Sequence, residues 1–295
     1  MTVTHGEQQA EAPAARPAPP ADPGPSAGAI VHGLGIGVSL LALLVLGFAG
    51  YLYFLSGVQE ARVQTTMYAT LRGQLGQATA PLNSPKPGTP MAILSIPAIG
   101  MHNEVVVQGT SPENLELGPG HLRDTPLPGE SGVSVLYGRR ATFGSPFGLV
   151  PRLSPGEKII ITTGQGTSVY RVKLVGDSKE RILISTAPNQ LMLVTADSDL
   201  IPSHYIEVDA SLVSRSQPDA GTTSVTPAEV ALGNDPNALI LCMAWGMALV
   251  IVSAGGSVVA SRWSKWPAYL AIVPIALAVV WNLYQNIAAL LPNIY

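Results

Sequence analysis

Charge is scarce in this 295-residue chain. Sixteen Lys and Arg and nineteen Asp and Glu make up 12% of it, about half the roughly 25% of an ordinary soluble domain. Cysteine is almost missing: Cys242 stands alone, which excludes any intrachain disulfide. No spacing of His, Cys or carboxylates matches a zinc site, so no metal or other cofactor is expected. GPGH and GQGTS lack the lysine and helix of a phosphate-cradling loop and read as turns. No basic patch has the density that nucleic acid demands, so nucleic acid is not an expected partner. Internal repeats are lacking too. Thirty Gly and 26 Pro sit beside 47% hydrophobic residues. That mixture fits neither a purely soluble globular protein nor a fully disordered one.

The missing charge is gathered into blocks. No Asp, Glu, Lys or Arg occurs between Asp22 and Glu60, between Asp235 and Arg262, or after Lys265, whereas 29 of the 35 charged residues lie from Glu60 to Asp235. The three bare blocks hold apolar runs from about Ile30 to Leu55, Ala238 to Ala260 and Ala268 to Leu291. Each reaches the roughly 20 residues that cross a hydrocarbon core as a helix. The first run is longer than the apolar stretch of a signal peptide and has no basic segment before it, so it reads as a retained anchor.

Basic residues in short loops mark the cytoplasmic side. The hairpin SRWSKWP carries Arg262 and Lys265 and no acid. A plasma-membrane, multi-pass topology follows, with the N-terminus inside and the Glu60–Asp235 region outside. Trp263, Trp266, Tyr51 and Tyr53 lie near span ends, where amphipathic rings favour the headgroup layer. Asn282, Gln285 and Asn286 share one face of the third helix; that face either packs against the other spans or binds a separate membrane protein. No span carries a charge, which argues against ion transport.

The expected organisation is a disordered cytoplasmic tail over 1–28, a first transmembrane helix over 29–58 and a helical, then proline-rich stalk over 59–90. A β-domain over 91–215 and a linker over 216–237 follow. A second transmembrane helix over 238–261, a cytoplasmic hairpin over 262–267 and a third helix over 268–295 complete it. The β-domain is read from short runs rich in Ile, Val, Thr and Tyr: AILSIP, NEVVVQG, GVSVLYG, EKIIITT, TSVYRVKLVG, RILIST, QLMLVTA and HYIEVDASLV. Such runs, punctuated by Gly, Pro, Asp and Asn, suggest a closed barrel or a sandwich.

Four segments in order, LSIPAIGMHNEVVVQGT, ENLELGPGHLRDTPLPGESG, VSVLYGRRATFGSPFGLVPRLSPGEKIIITT and QLMLVTADSD, resemble the sortase family. The type they are most similar to is class E of high-GC Gram-positive bacteria, the actinobacteria. The resemblance implies an all-β extracytoplasmic domain, an eight-stranded sortase-like β-barrel, joined to three transmembrane α-helices. It also implies cysteine transpeptidation: a sorting signal on a secreted protein is cleaved and joined to the cell wall or another protein.

The residues depart from that chemistry. The family's histidine lies in a Gly-His-Arg motif, and here the motif is Gly138-Arg139-Arg140, which puts Arg139 in its place. The family's cysteine ends a strand, and here Leu193-Val194-Thr195-Ala196 puts Ala196 there. The family's arginine follows on the next strand, where Ser203-His204-Tyr205 stands instead. A thiol transpeptidase needs a thiolate, a proton-exchanging histidine and an oxyanion stabiliser. Alanine cannot attack, and a guanidinium does not act as a base. Cys242, inside a span, is out of reach.

Arg139, Arg140, Asp197 and Asp199 are the candidate ligand-binding residues. The two cations either hold a carboxylate or acidic peptide, or pair with the two aspartates across the old centre. His121 and His102 read as structural histidines, and His204 likewise. The expected function is therefore a membrane-anchored, catalytically inactive sortase-like protein that binds a secreted peptide, a secreted protein or a membrane partner in envelope assembly. Two alternatives remain: an active sortase-type transpeptidase or hydrolase, and a structural subunit of a larger membrane complex.

Overall fold

The computed structural model describes residues 27–83, 85–177, 189–198, 202–230, 233–262 and 265–295. Most of the tail, the run RILIST, Asp199 and Trp263 lie outside the described residues.

Helix α1 (Ala27–Gly50) passes through one π-helical turn (Tyr51–Leu55) into α2 (Ser56–Gly76). The side chain of Ser56 donates to the Leu52 carbonyl within that turn, the kind of local substitution that accompanies a π-bulge. Along α1 the apolar side chains Val31, Leu34, Leu41 and Leu46 are exposed, the pattern of a helix apolar enough to cross a membrane. On α2 the buried positions Ser56, Glu60, Gln64 and Leu71 recur at spacings of four and seven, which lines them along one face.

Eight strands follow: β1 (Pro90–Ile96), β2 (Met101–Gln108), β3 (Gly120–His121), β4 (Val133–Tyr137), β5 (Lys158–Thr163), β6 (Gly166–Asp177), β7 (Gln190–Ala196) and β8 (Tyr205–Leu212). A short helix, α3 (Pro112–Leu115), precedes β3. The strands close into a barrel in the order β1-β2-β3-β4-β7-β8-β6-β5. Two pairings are parallel, β2 with β3 and β4 with β7. Leu94, Ile96, Leu136, Ile159, Ile161, Leu191, Leu193 and Val208 fill the interior. The sequence-based expectation of an eight-stranded closed barrel joined to long apolar helices is met.

β3 contributes only two residues, so part of β2 has no strand beside it. The α2 side chain of Gln64 substitutes for that strand. Its Oε1 accepts from Val105 N at 2.8 Å, and its Nε2 donates to Val105 O at 3.0 Å and Leu117 O at 2.7 Å. An amide side chain carries the same donor and acceptor as a peptide group, so the ladder stays satisfied. Gly118, with φ +145°, lets the Gln64 amide approach; a Cβ there would collide with it.

The stretch after β8 runs along the barrel. Gln217 N donates to Gly129 O and Thr223 N to Arg123 O, both at 2.8 Å. Glu229 closes a capping box with Thr226 and accepts from Arg123 Nε at 2.7 Å. Helices α4 (Ala238–Arg262) and α5 (Lys265–Ala288) then form a hairpin, packed closely enough that Gly256 lies against Ile272. Among the described residues, three helices are long and apolar enough to cross a membrane: Leu34–Gly76, Ala238–Val259 and Tyr269–Ala288. On α5 the amides are satisfied within the helix: Asn282 Nδ2 donates to Ala278 O and Asn286 Nδ2 to Asn282 O, each at 2.8 Å.

Candidate functional site

β4 and β7 run parallel, with Tyr137 beside Val194, and β7 and β8 run antiparallel, with Ala196 beside Tyr205. This register brings Gly138-Arg139-Arg140, Ala196 and Ser203-His204-Tyr205 to one end of three adjacent strands. Gly138 N donates to Val194 O at 3.1 Å, and Thr195 Oγ1 donates to Gly138 O at 3.0 Å. Gly138 has the Phe147 ring against its Cα, so no side chain fits at that position.

The outer face of this sheet is a groove. Val135, Tyr137, Met192, Val194 and Ala196 point away from the barrel core and form a second apolar cluster with Leu115 and Ile294, flanked by Leu122 and Tyr205. A cavity of about 490 Å³ runs over Met192 and Val194 between Leu122 and Tyr205, with Asp124 and Glu207 at its edge. Ala196 is completely buried at the groove's end. Its methyl group offers no chemistry.

Arg139 is also completely buried. Its Nη2 donates to Pro112 O at 3.1 Å and its Nη1 to Thr142 Oγ1 at 3.3 Å, and the guanidinium lies 4.5 Å from the centre of the Phe143 ring. Its Nε has no partner among the described residues. Burial pushes the Glu116 carboxyl up to about 7, with the Arg139 charge offsetting part of the effect and Glu113 adding to it. Burial likewise pushes the guanidinium down from its ordinary value, opposed by Glu116 and Tyr51. Phe143 also meets the ring of Tyr51 edge-on, 6.3 Å between centres, and Tyr51 meets Trp281 at 5.2 Å. Arg139 thus lies where the helices carrying Tyr51 and Trp281 meet the barrel, turned away from Ala196.

Arg140 is half-buried and reaches the other way, its Nη1 donating to Ala196 O at 3.2 Å. It also borders a cavity of about 630 Å³ lined by Tyr53, Met101, Glu104 and Arg152. Burial raises the Glu104 carboxyl, and a hydrogen bond from Glu60 offsets part of that.

Asp197 closes a turn. Its Oδ1 accepts from the backbone N–H of Ser203 (3.1 Å) and of His204 (3.2 Å), and its Oδ2 from Ser203 Oγ at 3.2 Å. His204 Nδ1 lies 3.3 Å from Asp197 Oδ2 and 2.7 Å from Ser203 Oγ. Slight burial raises the Asp197 carboxyl, but the bonds from His204 and Ser203 outweigh it and hold it below its usual range. Serine, histidine and aspartate meet here, yet both partners share one ring nitrogen. A relay needs the carboxylate on one nitrogen and the nucleophile on the other. The cluster is a loop closure. Asp199, paired with it in the sequence reading, lies outside the described residues.

His121 is buried, with Nδ1 2.9 Å from Gln108 Oε1 and Nε2 2.9 Å from Pro126 O. Burial lowers its pKa to about 4, with the Pro126 carbonyl opposing. Among the described residues no group of three or more His, Cys, Asp or Glu could hold a metal.

Sequence reasoning missed Asn293, Ile294 and Tyr295, which enter the groove's end. The signal was faint: Pro292, four residues past the end of α5, bars a return to helix, and a polar Asn293 follows.

Residues 94–206 match the family model of the sortase domain. Sortase D of Bacillus subtilis is 31% identical over 144 residues, which are 48% of this chain and 65% of that relative, so the match spans just under two thirds of the relative's length. Among solved structures, sortase E of Streptomyces avermitilis is 28% identical, covering 46% of this chain and 93% of that one with a TM-score of 0.39. A Clostridium perfringens sortase D5 transpeptidase is 22% identical, covering 52% and 99% with a TM-score of 0.45. The family match falls on the closed eight-stranded barrel, and the barrel has the sortase fold.

Proposed function

We propose that this chain is a membrane-anchored sortase-type barrel that binds an extended peptide of a secreted protein at the outer face of the envelope and does not cleave it. The observation that carries the reading is Ala196. It is buried at the end of β7, facing the groove where a sortase would present its nucleophile. The neighbouring positions support it. Arg139 is committed to Pro112, Thr142 and Phe143, and Ser203-His204-Tyr205 supplies a loop closure in place of an arginine. Arg262 and Lys265 in the hairpin between the last two spans favour a cytoplasmic hairpin, hence an outward barrel.

The groove's chemistry favours a peptide. Met192, Val194, Val135 and Leu122 give it an apolar lining, and Asp124 and Glu207 add polar groups to that lining. The test uses the full-length protein in detergent with fluorescent peptides copied from sorting signals. Binding without any cleaved or joined product is the expected result, and Tyr205→Ala weakens binding several-fold. A cleaved or transferred peptide in the mass spectrum would sink the reading and restore the transpeptidase.

A further inference from the structure

Pro292 cannot continue a helix, and beyond α5 the chain turns into the barrel. Leu290 N and Leu291 N still donate to Ile287 O and Ala288 O. The next three residues leave the membrane helix and are nearly sealed from solvent: Asn293 and Ile294 are completely buried, and Tyr295 is 7% exposed.

Each of the three is held at a different wall. Asn293 N donates to Gly233 O at 2.9 Å, and its Nδ2 donates to Val230 O at 2.9 Å and to Ala228 O. Ile294 places its side chain in the apolar cluster of Leu115, Tyr137, Val194 and Ala196, and its carbonyl accepts from Arg140 N at 3.0 Å. The Tyr295 main-chain oxygen accepts from Thr142 Oγ1 at 2.8 Å, and its phenol is 2.7 Å from that of Tyr53.

These are the contacts a peptide makes in a groove: a side chain in an apolar cluster, and carbonyls on a backbone N–H and a hydroxyl. Val135, Tyr137, Met192 and Val194 belong both to the cluster that receives Ile294 and to the wall of the 490 Å³ cavity. A second peptide lying across Ala196 would need the same surface and the same Arg140 and Thr142 donors.

We infer that Asn293–Tyr295 is a resident ligand of the groove, an Asn-aliphatic-aromatic segment that caps the Ala196 end and must leave before an external peptide can occupy it. The competitive part rests on the peptide-binding function proposed above; the intramolecular cap itself does not. A short segment held by one buried isoleucine and a few hydrogen bonds opens more readily than the barrel does. Its attachment to α5 keeps its effective concentration high.

The test places a thiol under the cap. In a Cys242→Ser background, Ala196→Cys reacts with a soluble maleimide, and the rate is compared with and without Ile294→Asp in the full chain. Leu193→Cys, on the inner face of the same strand, reports whether the barrel has opened; where Ile294→Asp opens it, Ile294→Ser replaces it. Labelling at Ala196→Cys roughly tenfold faster or more on losing Ile294, with Leu193→Cys still slow, is the expected result. Equal rates would overturn the cap. A free hexapeptide of sequence Leu-Leu-Pro-Asn-Ile-Tyr is then titrated. It should bind the Ile294→Asp protein about tenfold more tightly than the unaltered one and slow Ala196→Cys labelling again. Equal affinities overturn the competition. No binding to either, with the labelling difference intact, leaves the cap standing and removes the peptide-binding function instead.

Discussion

Strands β6 and β7 are neighbours of the same strand, β8, and behave differently. On β6, GTSVYRVKLVGD alternates: Ser168, Tyr170 and Val172 are buried while Arg171 and Lys173 face solvent. On β7, QLMLVTA is buried at every position. The inward side chains Leu191 and Leu193 enter the barrel core, and the outward ones, Met192, Val194 and Ala196, are covered by the groove's walls and by Ile294. A strand with one wet face needs alternation; an unbroken apolar strand needs cover on both. The difference marks the covered face on which the groove lies without any reference to catalysis.

The comparison can be broken hardest beneath the covered face. Arg139→Ala removes a fully buried cation, the charge that offsets the burial of Glu116, the donors to Pro112 O and Thr142 Oγ1, and the group that lies over the Phe143 ring. A loss of about 3–5 kcal/mol is expected, read as a lowered Tm of the full-length protein. Leu193→Ala, on the inward face of β7, is expected to cost about 2–5 kcal/mol by urea unfolding. Both effects would be absent if Arg139 and Leu193 were exposed to solvent rather than completely buried.

Acidity sharpens the same contrast, because His121 lies behind the covered face. Its folded pKa of about 4 is below the ordinary 6.5, so the unfolded chain binds more protons between these values. Stability therefore rises with pH from about 4 to 6.5 and is fully present above, by about 3 kcal/mol at most. Glu116 works in the opposite direction: its carboxyl, raised to about 7 from 4.5, makes stability fall as pH rises across that window. The two windows overlap and offset each other, so relative to the parent the Tm of His121→Gln should rise less, or fall more, from about pH 4 to 6.5, and that of Glu116→Gln should fall less, or rise more, from about 4.5 to 7. The smallest effect belongs to the wet face of β6, where Lys173→Ala should stay within about 0.5 kcal/mol of the parent.

Much of this fold was legible in the sequence because its signals are local. The apolar blocks around Leu41, Val250 and Ala278 announce helices by length alone, and seven of the eight predicted runs overlap observed strands. β3 was not foreseen, since two residues, Gly120 and His121, carry no periodicity. The role of Gln64 was equally hidden: its partner Val105 lies 41 positions away, and nothing in EARVQTT marks an amide that completes a sheet. The site was legible only as a set of positions. Register brings 138–140, 196 and 203–205 together as the motifs imply, but the motifs do not tell that Arg139 turns inward while Arg140 turns to Ala196. The Asn293–Tyr295 cap depends on a long-range packing choice made after Pro292, and no spacing rule reports it.

The central claim is that the groove holds peptide without cutting it. The most direct measurement is mass spectrometry of sorting-signal peptides incubated with the unaltered full-length protein and an amine acceptor. The account predicts intact peptide at all times, with no adduct on the protein. Cleaved or transferred peptide from the unaltered protein would contradict it, and its persistence in Cys242→Ser would show that the one cysteine is not responsible.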